Sequence, residues 1–390
     1  MPRPRSRTAP WRDPKIRGLI AQAVVLTAVV LGVWWLGRNA AASLARQKIA
    51  SGFEFLDHTA GFGIIQTLID YTEQSSYGDA LIVGLLNTVL VAVIGIVLAT
   101  AMGFLLGVAR LSRNWLIAKL AAAYVEIVRN VPLLLQIVFW YGGVLRALPG
   151  PRQSLTFADV AALNNRGLFV PRFTPEAEAM TILIAALIGV AAALGVADWA
   201  KRRQLRTGRL FPTGRVGLAL VLGLPLLAAV ATGFPFAVSI PELKGFNYQG
   251  GIQILPELMA LTLALAIYTA SYIGEIVRSG IEGVPRGQSE AAAALGLKHG
   301  LALRLVVLPQ ALRIIVPPLT SQYLNLTKNS SLAVAVGYPD LVAVFAGTVL
   351  NQTGQAIEVL AITMALYLAL SLLTSALMNW YNRAYALKGG

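Results

Sequence analysis

Runs of about 20 apolar residues recur along this chain, and a run of that length is what an α-helix needs to cross the hydrocarbon core of a bilayer. Eight can be marked, at 18–37, 81–109, 119–144, 180–200, 216–236, 254–277, 311–330 and 356–380. In lipid every backbone N–H and C=O must find a partner within the protein, so such runs are predicted to be helices. The expected fold class is therefore all-α and polytopic, with about eight transmembrane helices. Charge content agrees: 13% of the 390 residues are charged, against about 25% in a soluble domain.

Two of the runs need argument. The run at 311–330 is polar, and Pro317 and Pro318 would kink it, which is tolerated only where neighbouring helices or a cavity satisfy the freed carbonyls. The run at 18–37 follows Arg3, Arg5, Arg7, Arg12, Lys15 and Arg17. A basic start before an apolar run also describes a signal peptide, with Ala40 to Ala42 as a cleavage region, but the run is longer than a signal h-region and reads as an uncleaved span.

The basic residues set the expected orientation. The tail at 1–17 holds six Lys/Arg, and 201–215 holds six more: Lys201, Arg202, Arg203, Arg206, Arg209 and Arg215. With eight spans both fall on the cytoplasmic side, together with Arg110, Arg113 and both termini. The segment at 38–79 is acidic on balance, and 331–355 has no Lys or Arg. The chain then divides into a tail at 1–17, a span at 18–37 and a non-cytoplasmic segment at 38–80. Core spans follow at 81–147, a loop with an inserted hairpin of spans at 148–253, three further spans at 254–381 carrying a loop at 281–310, and a tail at 382–390. Within 38–79, Ile64, Ile65, Leu68 and Ile69 have helical spacing and are expected to lie along the membrane surface. The segments at 148–178 and 237–251 are long enough to fold locally.

The same residues exclude several functions. There is no cysteine, and His58 and His299 lie far apart, which leaves no basis for a metal site, a thiol catalyst or a Ser-His-Asp triad. No G-x-x-x-x-G-K-[ST] run is present, so nucleotide is not hydrolysed through a P-loop of this chain. The net charge of +14 sits in blocks between apolar runs, a pattern of topology and not of a nucleic-acid-binding face.

The most informative stretch follows the sixth run. Pro285 and Gly287 break the preceding helix, and Gln288 or Ser289 is expected to begin another with Glu290 in its first turn, where a carboxylate suits the helix dipole. Ala291 to Ala294 add high helix propensity with almost no bulk. Gly296 is placed to stop the helix. A second short helix is expected at 299–306, leading to Leu308 and Pro309. Small side chains on such a loop let another protein approach the backbone closely.

This spacing, Glu290-Ala291-Ala292, then Gly296, then Val306-Val307-Leu308-Pro309, resembles the ATPase-docking signature of ABC importer permeases, with Val306 where isoleucine is usual. Further stretches look like permeases of the polar-amino-acid, histidine/glutamine type: Gly84 to Thr88, Ala109 to Ser112, Glu126 to Gln136, Phe139 to Tyr141, Tyr272 to Gly280 and Lys328 to Leu332. The additional span, the long loop and the inserted hairpin resemble the larger permease subunit of general L-amino-acid, or glutamate/glutamine/aspartate/asparagine, transporters.

The resemblance implies a type I ABC importer permease core in a bacterial inner membrane. It implies a second, unlike permease subunit and two separate ATP-binding subunits that hold ATP and Mg. It also implies a periplasmic amino-acid-binding protein, and no cofactor or catalytic residue in this chain. Glu290, Ala291, Ala292, Gly296, Leu308 and Pro309 are the expected coupling residues.

Polar residues within the spans are costly and therefore functional candidates. Glu126 with Arg129, and Glu275 with Arg278, have the three-residue spacing of intrahelical ion pairs. Asn87, Thr88, Gln136, Tyr268, Ser271, Lys328, Asn329, Ser330 and Ser331 could line a polar pathway, with Lys328 either accepting a substrate carboxylate or simply capping a helix end in water. The rival readings are a self-sufficient secondary transporter or channel, which would need no ATPase, and a membrane enzyme.

Overall fold

The computed structural model describes residues 14–46 and 52–385. Arg3, Arg5, Arg7 and Arg12 of the basic tail, and Lys388 of the other, lie outside the described residues. Among the described residues seven helices are long and apolar enough to cross a membrane, or eight when one bent pair is taken as a span. They form two compact units, one from the chain up to Leu90 with Pro339–Arg383, the other Val91–Tyr338.

The first unit contains α1 (Pro14–Arg46), the start of α2 (Tyr77–Arg110), α11 (Leu350–Thr353) and α12 (Ala356–Tyr385). The apolar window of α1 is bare on every side, as suits a helix solvated by lipid. A small core of Phe55, Leu341, Phe345, Val349 and Val359 anchors the unit. Gly84 permits close approach here, since a Cβ would lie 3.0 Å from Leu341 Cα.

The expected surface helix around Ile64 to Ile69 does not form. Its segment is an irregular loop closed at its ends, where Ala60 N–H donates to Ser75 O at 2.8 Å and Gly61 N–H to Glu73 O at 3.0 Å. The Asn87 side chain donates to Gln66 O at 2.9 Å, taking a carbonyl that a helix would have used.

The second unit holds the rest of α2, α3 (Trp115–Asn130), α4 (Leu133–Val138), α5 (Ala179–Thr207), α6 (Thr213–Ala231), α7 (Pro256–Glu282), α8 (Arg286–Ala294), α9 (His299–Ala302) and α10 (Leu308–Asn329). α2 and α7 pack through glycines. A Cβ on Gly103 would fall 2.5 Å from Ile273, and one on Gly107 2.6 Å from Val277. Small residues four apart let membrane helices approach this closely.

The predicted span at 119–144 is not one helix: α3 and the stretch 133–145 meet at 102°. The cause is Pro132, whose ring drives Val131 to an extended φ of −94° and ψ of 126°. Gln136 mends the break by donating from Nε2 to Val128 O and Val131 O, each at 2.9 Å. α6 ends five residues before its predicted limit, because Gly233 turns left-handed at φ +71° and Phe236 enters a strand.

The two loops expected to fold locally do so as short strands. β1 (Leu155–Phe157), β2 (Ala161–Asn164), β3 (Gly167–Val170) and β8 (Ile252–Ile254) make one antiparallel sheet in that order. β4 (Arg172–Pro175) pairs with β5 (Phe236–Ser239), and β6 (Glu242–Lys244) with β7 (Asn247–Gln249). The inserted hairpin α5–α6 thus leaves and re-enters the core through paired strands.

Candidate functional site

The loop after α7 is a capped helical finger. Pro285 precedes α8 with φ −56° and ψ 132°, so the helix starts at Arg286, earlier than Gln288 or Ser289. At its other end Leu297 N–H donates to Ala292 O at 3.1 Å and Gly296 N–H to Ala293 O at 2.9 Å. With Gly296 at φ +74° these bonds make a Schellman cap, which ties off the last carbonyls of the helix. Gln310 Nε2 donates to Gln288 Oε1 at 3.2 Å, fastening the finger to α10.

Glu290, Ala291, Ala293 and Ala294 are exposed along the finger. Ala292 is not part of that surface: it is 3% exposed and faces inward. Its small size serves packing beneath the finger, where the expectation had it meeting a partner. Leu295, overlooked in the sequence, is 81% exposed beside Gly296, an apolar knob at the tip. A large residue just before a helix-stopping glycine was the signal available. The expected short helix at 299–306 is α9 followed by a π-helical turn, Leu303–Val307, that runs into α10. Leu308 and Pro309 therefore stand at the start of α10, directly after the π-helical turn. Leu308 is exposed.

The polar residues of the spans divide into two groups. Asn87 and Thr88 are fully buried, so neither side chain is open to solvent. Asn87 donates to Pro339 O at 2.8 Å, and the Thr88 hydroxyl accepts from Leu341 N–H at 3.0 Å, so both tether the backbone around Pro339. Ser271 and Ser330 are likewise sealed, each donating to a carbonyl three residues back. Gln136 mends the break at Pro132. Each of these five was placed in a pathway by its polarity, and each satisfies backbone groups instead, which is what a buried polar atom must do in an apolar medium.

The other group is reachable. Lys328 is exposed, Asn329, Ser331 and Tyr268 are half-buried, and the Tyr268 and Tyr272 hydroxyls lie 3.0 Å apart. Ser321 and Asn325 are exposed on α10 at seven and three residues before Lys328, which puts all three on one helical face. The sequence carried this stripe as i, i+4, i+7 polar spacing. Lys328 enters none of the ion pairs found among the described residues.

Charged residues gather at the C-terminal ends of α2 and α7. Glu275 binds both Arg110 and Arg278, the latter at 2.5 Å, and Arg278 also binds Glu282. Glu126 and Arg129 are not among the ion pairs of the described residues; the Arg129 guanidinium lies 4.7 Å from the Tyr272 ring instead. A polar groove of about 380 Å³ opens between Arg110, Glu126, Arg129, Asn130, Tyr272 and Glu275. Two cations and two carboxylates there leave a neutral, strongly polar mouth. No group of three or more His, Asp or Glu side chains suited to a metal occurs among the described residues.

A polytopic helical chain that presents a capped, alanine-rich finger and a polar stripe on one of its spans has the parts of a transport subunit, and this is a permease and not an enzyme. The chain belongs to the family described as binding-protein-dependent transport system inner membrane component, which it matches over residues 95–386. It is 55% identical to the general L-amino acid transport system permease protein AapQ of Rhizobium johnstonii, over 96% of this chain and 94% of that one. It is 41% identical to the glutamate/glutamine/aspartate/asparagine transport system permease protein BztB of Rhodobacter capsulatus, over 96% and 95%. The glutamate/aspartate import permease protein GltJ of Escherichia coli is 34% identical over 45% of this chain and 72% of its own length.

Proposed function

We propose that this permease forms part of the pathway of an ATP-driven importer of polar L-amino acids, acidic amino acids and their amides among them. Its partners are a second, unlike permease, two ATP-binding subunits that carry ATP and Mg, and a periplasmic amino-acid-binding protein. The names of the relatives support the substrate class. The observation that carries the coupling role is the α8 finger, whose exposed alanines and Leu295 knob offer a smooth surface with one apolar protrusion.

In this reading both termini and the finger are cytoplasmic. A groove on the ATP-binding subunit takes the finger, and closure of the ATPase pair on ATP moves it. Since Gln310 links the finger to α10, a displacement of α8 is passed to the helix that bears Ser321, Asn325 and Lys328. The two access states must hold their partners with different affinity, or no work is transmitted. The stripe on α10 faces the pathway, and the Lys328 ammonium meets the substrate α-carboxylate.

The test is uptake by proteoliposomes containing the co-purified subunits. Accumulation of L-glutamate or L-glutamine that requires both ATP and the binding protein is the expected result. Uptake by this chain without an ATP-binding subunit would overturn the proposal in favour of a self-sufficient transporter.

A further inference from the structure

The inserted hairpin has a tip that the permease function does not use. Between Ala179 and Ala231 there are six basic residues and one acidic residue, and all six lie within 201–215. α5 has 29 residues, whereas about 20 suffice to cross the hydrocarbon core. Its last two turns, Lys201 to Thr207, extend past the apolar part of the helix and carry four of the six cations. Only Asp198 offsets them, paired with Arg202 at 2.7 Å on an exposed surface.

Two further features distinguish this tip from a merely solvated charge run. Leu205 and Leu210 are 80% and 81% exposed among the arginines, where water would disfavour them. Trp199 and Phe211 meet edge to face at 5.2 Å, and the Arg203 guanidinium lies 5.3 Å and 5.9 Å from their rings. Gly208 at φ +66° ends α5 and turns the chain between Arg206 and Arg209. Cations at the phosphate level, aromatic rings at the interface and leucines pointing outward are the components of a membrane-surface site.

We infer that the α5–α6 tip is a binding surface for anionic phospholipid headgroups, with Arg202, Arg206 and Arg209 meeting phosphates while Leu205 and Leu210 enter the acyl boundary. The inference rests on α5 and α6 crossing the membrane and on nothing about the substrate carried. Helix α5 meets α6 through Gly189, where a Cβ would fall 2.6 Å from Leu220 O, so the lipid would fix the register of a hairpin whose other faces are bare.

The purified full-length chain in detergent, titrated with phosphatidylglycerol or phosphatidylcholine, tests this by native mass spectrometry. One Lys or Arg near an anionic surface contributes about five-fold in binding. Replacing Arg202, Arg206 and Arg209 by Gln should lower phosphatidylglycerol retention at least about ten-fold and leave phosphatidylcholine retention unchanged. The triple Lys variant should keep the preference, and the pair Leu205→Ser and Leu210→Ser should weaken retention with all charges in place. If the Gln variant does not fold, loss of the wild-type preference on raising ionic strength serves as the second measurement. Equal retention of both lipids by the wild type, or undiminished phosphatidylglycerol retention by a folded Gln variant, overturns the inference. So does preferential retention of an RNA oligonucleotide over the lipid. Uptake by the assembled transporter reports on the permease role separately.

Discussion

Replacing Gly296 isolates what the coupling finger needs from its backbone. At φ +74° a residue with a Cβ is strained, yet a Cβ built there meets no other atom of this chain within 4 Å. The cost of Gly296→Val is therefore conformational: left-handed backbone costs an L-residue about 1–2 kcal/mol, and more for a β-branched one. That lowers the population of the capped finger by a factor of about 5 to 30. The Schellman bonds to Ala292 O and Ala293 O would be lost in the remainder, and Leu295 would no longer project from a fixed tip. Gly296→Asn keeps the left-handed conformation accessible and should stay within about two-fold of wild type. The assay is ATP-dependent uptake in proteoliposomes alongside ATP hydrolysis. The Val variant should lose about ten-fold in uptake per ATP hydrolysed while its melting temperature changes little, because the finger is exposed. Normal coupling in the Val variant would refute the reasoning. Equal damage in Val and Asn would also refute it, by showing that the missing side chain matters to a partner's approach and not to the backbone.

Three other outcomes follow from the geometry. Gly103→Leu forces a side chain into Ile273, and overpacking of this kind typically costs 1–3 kcal/mol; thermal melting should show the loss, and Ile273→Ala in the same chain should recover part of it. Lys328→Ala should reduce uptake of amino acids at least ten-fold while Lys328→Arg retains most of it, measured as initial rates; unchanged uptake by the Ala variant would make Lys328 a hydrated helix end. Asp340 caps the turn after Pro339, accepting from Ala343 N–H at 2.8 Å, and burial pushes its carboxyl up to about 7. The folded protein then holds a proton that the unfolded chain releases near pH 4, so stability should fall as pH rises from about 4 to about 7 and level off above. Asp340→Asn should flatten that part of a melting-temperature profile, and an unaltered slope would assign it to other groups.

The spans were legible because hydropathy is a property of each residue by itself, and no partner need be known to read it. The break at Pro132 was hidden inside an apolar run that reads as one span, since hydropathy does not register the 102° bend that Pro132 makes and Gln136 supports by reaching back to two carbonyls. Strands of three or four residues between β1 and β8 carry too few alternations to read, and Leu168 pairs with Ile254 across the whole inserted hairpin. The loop around Ile64 to Ile69 misled for the same reason. Its apolar spacing is helical, but Asn87 and the Ala60–Ser75 closure decide its path from outside the segment. The finger was legible nearly to the residue because its structure is local, made of a proline start, an alanine run and a glycine stop within twelve positions.

The polar residues within the spans show where reading by residue type stops. Asn87, Thr88 and Lys328 are each costly in lipid, and polarity alone assigns all three to a pathway. Short polar side chains can discharge their groups onto nearby backbone, and Thr88 does so in both directions, donating to Gly84 O at 2.9 Å while accepting from Leu341. A lysine has three donors on a long stem and no such local outlet. Lys328 stays exposed on the same helical face as Ser321 and Asn325, and a membrane helix exposing three polar residues in line must set that face against water or another subunit. The useful distinction for a span is therefore between a polar group whose bonds end within its own chain and one whose bonds must end elsewhere. By that criterion α10 carries the candidate pathway face, while Asn87 and Thr88 of α2 hold the backbone at Pro339 and Leu341 within their own unit.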